Sequence, residues 1–142
     1  MSFTVEARYR RGHAQAPALL RSPDDVDAMI DALLAGPEDE NLAQLHSLER
    51  DTLLSGSPDH ELLVGVDRTL QVGILTFMDA GGNWVTVGSP GSRDDVDYFI
   101  LGHWTDLPGR SEVPLELVRR AVKEFCVVRG QRPACVRWDG QQ

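Results

Sequence analysis

The sequence predicts an α+β fold, one mainly antiparallel sheet with two main helices packed on it. Three observations predict it. Strand-like segments crowd the middle of the chain instead of alternating with helices, which argues against a doubly wound parallel sheet. Two segments, one towards each end, carry apolar residues at helical spacing between clear start and stop signals. A length of 142 residues suits a single domain, taken as residues 1–142, with one core of its own.

The elements follow in order. "FTVEARYR" (3–10) alternates apolar and polar residues and reads as a half-buried strand. In "RSPDDVDAMIDALLAG" (21–36), Ser22 is placed to cap a helix, Pro23 occupies its first position and Gly36 lies just past its end. Val26, Met29, Ile30, Leu33 and Leu34 recur at helical spacing and mark the core face. "GPEDEN" (36–41) is an acidic connection, "AQLHSLER" (43–50) a strand and "SGSPDHE" (55–61) a loop. "LLVGVDRTLQVGILTFM" (62–78) reads as two strands turning at Asp67–Arg68–Thr69. A turn at 79–83, a strand at 84–88 and a loop at 89–95 follow, and "YFILGHW" (98–104) reads as one aromatic strand interrupted by Gly102. Pro114 opens the second helix, with Val118, Ala121, Val122 and Phe125 as its apolar stripe and Gly130 at its end. "RPACVRWDG" (132–140) closes the chain as a short strand with Ala134, Val136 and Trp138 on one side.

The composition narrows the function classes. No stretch approaches the roughly 18 consecutive apolar residues of a membrane span, and the start lacks the apolar core of a secretory signal. Two cysteines, Cys126 and Cys135, are too few for a disulfide framework or zinc knuckle and read as free thiols of a reducing cytoplasm. A net charge of −8 argues against nucleic acid as a partner, because phosphate binding needs concentrated Lys and Arg. The same charge draws an acidic protein towards basic surfaces, including the clefts of enzymes that act on nucleic acid.

No local catalytic motif emerges. The histidines His13, His46, His60 and His103 stand in no metal-ligand spacing, so neither metal nor cofactor is expected. His60–Glu61 and Pro133–Ala134–Cys135 fall short of the zinc deaminase signature, since no glutamate lies two residues after His60 and position 138 is Trp138. "GSPGS" (88–92) has the spacing of neither a serine elbow nor a phosphate loop. Cys126 lies far from its helix N-terminus, along the apolar stripe, and reads as a buried small hydrophobe. His103, beside Trp104, admits three roles: framework, partner contact or catalysis. The last would need a carboxylate brought to the ring.

The acids are the less easily explained charges. Asp24 and Asp25 suit a helix first turn. Asp27 and Asp31 stand four apart on one helical face with no basic residue at helical spacing, a like-charge arrangement costing about 0.2–0.5 kcal/mol. With Asp24 they form a carboxylate stripe. Glu38, Asp39 and Glu40, then Asp94, Asp95 and Asp97, are further clusters. A solvated face explains each, and so does a basic partner.

The C-terminal third resembles the first-catalogued immunity-protein family of bacterial polymorphic toxin systems. The resemblance is carried by Gly102, His103, Trp104, Pro108, Val113, Pro114, Ala121, Phe125, Gly130, Arg132, Pro133, Val136 and Trp138. The helix from Ser22 to Asp31 and the strand from Leu70 to Gly73 are also similar. The resemblance implies a cytoplasmic, non-catalytic inhibitor that binds one toxin domain, chiefly of the nucleic-acid deaminase kind. On that reading Gly102, His103, Trp104, Pro114, Phe125, Gly130, Pro133 and Trp138 are framework. Asp24, Asp27, Asp31, Asp94, Asp95 and Asp97 would face the toxin's basic active-site cleft, with Trp84 or Trp104 as aromatic anchors. Two rivals stand beside it: a small ligand-binding or regulatory domain, and a hydrolase or isomerase using His103.

Overall fold

Period-two segments pair into a sheet and the two amphipathic segments cover it. The computed structural model describes residues 3–88, 95–100 and 103–141. In chain order its elements are β1 (Val5–Arg8), β2 (Ala18–Leu20), α1 (Pro23–Ala35), β3 (Leu42–Ser47), β4 (Glu61–Asp67), β5 (Val72–Asp79), β6 (Gly82–Thr86), β7 (Val96–Ile100), β8 (His103–Leu107), β9 (Val113–Pro114), α2 (Leu115–Val127) and β10 (Trp138–Gln141), with short 3-10 turns between some of them. The main sheet runs β10-β6-β5-β4-β3-β1-β2, and β9 pairs with β5 to make an eighth strand. Every pairing among the described residues is antiparallel. The fold is α+β, as predicted.

Alternation along the strands splits the sheet into two faces. One face carries Ala43, Leu45, Leu62, Val64, Val66, Leu75 and Phe77, which bury against Val26, Met29, Ile30 and Leu33 of α1 and Val118, Val122 and Phe125 of α2. The helix starts work as the sequence indicates for α1: the Ser22 hydroxyl accepts the Asp25 N–H at 3.2 Å, with Pro23 inside the first turn. Cys126 is buried in this core, and burial pushes its thiol up to about 12. No helix among the described residues is long and apolar enough to cross a membrane.

The opposite face holds a smaller core of Leu42, Ile74, Val85 and Tyr98. Here the sequence reading needs correction. The segment 98–104 is not one strand: β7 and β8 fold back on each other, from Val96↔Leu107 to Ile100↔His103, as a separate two-stranded sheet. Gly102 lies outside the described residues. Tyr98 seats this pair on the main sheet, with its ring buried and its hydroxyl donating to the Glu112 carboxylate at 2.6 Å. A Cβ at residue 65 would stand 2.7 Å from the Tyr98 ring, so Gly65 is what lets β7 approach. The Phe99 N–H donates to the Asn41 side-chain oxygen at 2.8 Å, fixing the other side of β7 beside the acidic turn Glu38–Glu40.

Two smaller differences follow from short-range signals. β2 has three residues, too few to show alternation, and the sequence reading passes over it. The last strand begins at Trp138, after a buried Pro133 whose carbonyl accepts the Trp138 indole N–H at 2.7 Å. Ala134 is therefore exposed instead of sharing a strand face with Val136 and Trp138.

Candidate partner-binding surface

The structure sorts the acids and aromatics singled out from the sequence into three places. The first is the seam between the helices. Arg119 on α2 reaches Asp27 at 2.9 Å and Asp31 at 2.6 Å, and Lys123 reaches Asp27 at 2.8 Å. The carboxylate of Asp27 is held below its ordinary range, first by the Lys123 hydrogen bond and then, against some desolvation, by Arg119. The like-charge pair, which has no basic residue at helical spacing in its own helix, thus gains its counter-ions from across the interhelical seam. Asp24 remains exposed in the first turn of α1.

The second place is the outer side of the β7–β8 pair. Alternation sends Val96, Tyr98, Ile100 and Leu107 towards the small core and Asp97, Phe99, Trp104 and Asp106 away from it. Trp104 is 61% exposed, the one exposed indole of the three tryptophans. Its N–H donates to Asp97 Oδ1 at 2.7 Å, so the ring is held in a fixed pose in solvent. Asp97 and Asp106 are directly opposite each other in the register. Like charges in that position disfavour strand pairing, and no described basic side chain forms an ion pair with either. Asp95, exposed, precedes the strand. Asp94 lies outside the described residues.

The third place is a cleft of about 310 Å³ that opens beside this pair, between the end of α1, the β4–β5 turn and β7. Its walls include Leu34, Phe99 and Pro37, and its polar groups include Glu38, Asp67 and Asp97. Arg68 is the basic residue of its lining, 3.6 Å from Glu38 and donating to the Gly36 carbonyl at 3.5 Å. Asp67 Oδ1 accepts the Thr69 and Leu70 amides, both at 2.9 Å, which shapes the turn carrying Arg68. Asp97 belongs both to the cleft and to the Trp104 bond, so the two places form one continuous surface.

The remaining residues are structural in their contacts. Trp84 is half-buried, packing on Phe77 with ring centroids 6.0 Å apart and lying 4.1 Å beneath the Arg132 guanidinium. Phe125 is in the core; Pro114 is the exposed residue that starts α2. Gly130 takes a left-handed φ of 82° at the end of α2, and its carbonyl accepts Arg50 at 3.0 Å. Trp138 packs against the main core. His103 and Trp104 do not enter it: both are exposed on β8. Among the described residues His103 makes no side-chain hydrogen bond, and none of their carboxylates is paired with its ring as an imidazole catalyst needs. Among the described residues no group of three or more His, Cys, Asp or Glu side chains is arranged to hold a metal ion.

Sequence reasoning missed Asp106, Phe99 and the cleft. Asp106 was within reach of the sequence: a reversal between the two halves of the aromatic segment would have set it opposite Asp97. The cleft was not, because it draws on segments around residues 34, 38, 68 and 97. Compared with known proteins, the family model described as Immunity protein Imm1 matches residues 14–139 of the chain. No curated protein matches it.

Proposed function

The chain belongs to the Imm1 immunity-protein family, and from that premise we propose that it neutralises its toxin through the acidic outer side of the β7–β8 pair. Immunity proteins of this family are non-catalytic inhibitors that bind a cognate toxin. The observation that carries the choice of surface is the arrangement of Trp104 and Asp97. An exposed indole is anchored in one pose by a carboxylate, and a second carboxylate opposes the first across the strand pair. The opposed carboxylates disfavour the strand pairing, and the indole stands largely in solvent. A preset aromatic ring loses little freedom on binding and makes an efficient anchor, and clustered carboxylates speed encounter with a basic surface.

The toxin we infer is one that acts on nucleic acid, of the deaminase kind, with a basic active-site cleft that this surface covers in the cytoplasm. Asp95 and Asp97 supply charge, with Asp94 beside them in sequence, and Trp104 supplies the anchor. Asp24, Asp27 and Asp31 contribute at most the negative side of the helix seam, because Arg119 and Lys123 already offset two of them. Trp84, under Arg132, is assigned no contact. Co-expression with the toxin domain encoded beside it tests this reading. Cells carrying the native chain survive and the two proteins purify together, whereas Trp104→Ala with Asp97→Ala loses both effects without loss of folded protein. Full protection by that double variant would move the binding surface elsewhere.

A further inference from the structure

We propose that the cleft between the end of α1, the β4–β5 turn and β7 receives one cationic side chain of the partner, an arginine, with Arg68 holding its place in the free protein. The proposal rests on the assignment of the β7–β8 surface to toxin binding, which it continues through their shared residue Asp97.

The end of α1 attracts guanidinium groups. Its last turn contains no basic residue, so the partial negative charge of its terminal carbonyls is not offset from within. Two arginines from elsewhere offset it. Arg10 donates to the Ala32 carbonyl at 2.6 Å, and Arg68 donates to Gly36 at 3.5 Å while lying 3.6 Å from Glu38. The Arg10 bond is short and half-buried; the Arg68 contacts are long, and its side chain is 53% exposed. Arg68 is thus a weakly held cation over acceptors that suit a better-placed one.

The cleft matches the two parts of an arginine. Leu34 and Phe99 form apolar walls for an aliphatic stem, and an aromatic ring also favours a guanidinium above it. Glu38 and Asp97 supply carboxylates at the cleft. Asp97 has given one oxygen to Trp104 and keeps the other as an acceptor. A neutral side chain would gain the walls without the charges.

The test needs no toxin. Titrate isotopically labelled full-length protein with N-acetyl-arginine amide and follow the backbone amides by NMR, with the citrulline analogue as the uncharged isostere. The expected result is saturable shifts at Gly36, Glu38, Thr69, Asp97 and Phe99 with the arginine probe alone. Asp97→Asn should weaken the probe by about two- to fivefold, the range for a solvent-exposed ion pair. Arg68→Ala should tighten it, because a competing cation is removed. Absent shifts at these amides, equal shifts with citrulline, or weaker binding in Arg68→Ala would overturn the proposal. Failure of the probe while the toxin still co-purifies overturns the cleft assignment alone. Uptake of the probe by a chain that captures no toxin overturns the premise instead.

Discussion

At the scale of single residues, exposure separates binding from stability. Trp104 is 61% exposed and belongs to neither hydrophobic core, so Trp104→Ala should leave the melting temperature nearly unchanged. If it is the anchor, toxin affinity falls by about 2 kcal/mol or more, roughly thirtyfold in Kd. Calorimetry on the complex and a thermal melt of the free chain check both halves. Asp97→Asn separates the two duties of that carboxylate, since the amide oxygen still accepts the indole N–H while the charge is gone. Its expected effect is a slower association rate with little change in dissociation. The buried histidines give a prediction of the opposite kind. His46 is buried, its Nδ1 has no hydrogen-bond partner among the described residues, and burial first, then the nearby His60 and Arg8, lowers its pKa from 6.5 to about 4. His60 shifts in the same direction, mainly through burial, against the pull of its bond to Asp59. Above pH 6.5 both rings are neutral whether the chain is folded or not, and nothing is lost. As pH falls below 6.5 the unfolded chain takes up protons that the folded chain refuses, so stability declines down to the folded value of about 4, by about 3 kcal/mol for His46. Denaturant melts across that range should show the decline, and His46→Gln should flatten it.

At the scale of elements, what could be read from the sequence was what is encoded locally. α1 was legible because Ser22, Pro23 and Gly36 punctuate it and its apolar stripe has the helical period; α2 was legible from Val118, Val122 and Phe125 in the same way. The seam between them was not, because Arg119 lies 92 residues from Asp27 and no periodicity connects the two. The β7–β8 pair was half legible: its apolar and aromatic residues marked a strand, but no polar turn signal separates Ile100 from His103 in the sequence. The acids of the candidate surface were visible as a cluster. Their arrangement around Trp104 and the adjoining cleft depends on the register of Asp97 with Asp106 and on the docking of Tyr98 over Gly65. The helix seam carries its own prediction. Arg119→Ala leaves Asp27 and Asp31 facing each other along α1, with Lys123 alone to offset them. Because these side chains are partly exposed, the expected loss is modest, about 1 kcal/mol, and shrinks as salt is added. Ser22→Ala removes the cap on the same helix for a similar cost, about 1 kcal/mol, independent of salt. Chemical denaturation at low and high ionic strength tells the two apart.

At the scale of the whole molecule, a net charge of −8 is spread over a fold with its two helices on one face of the main sheet and its candidate binding surface on the other. On the proposed reading, attraction to a basic toxin acts over roughly 8–10 Å at ordinary salt. Association should then slow steeply as salt rises, while dissociation, assigned in that proposal to the Trp104 contact, changes little; stopped-flow mixing at several salt concentrations measures both. The separate two-stranded sheet has a further consequence. Its inward side chains, led by Tyr98, are tied to the scaffold, whereas Asp97, Trp104 and Asp106 point outward and leave the helix-covered core untouched. Rewriting those three positions should cost the folded state little, so on the proposed reading recognition is free to diverge while the architecture is inherited unchanged. The same body can be re-aimed at an altered adversary by editing two short strands.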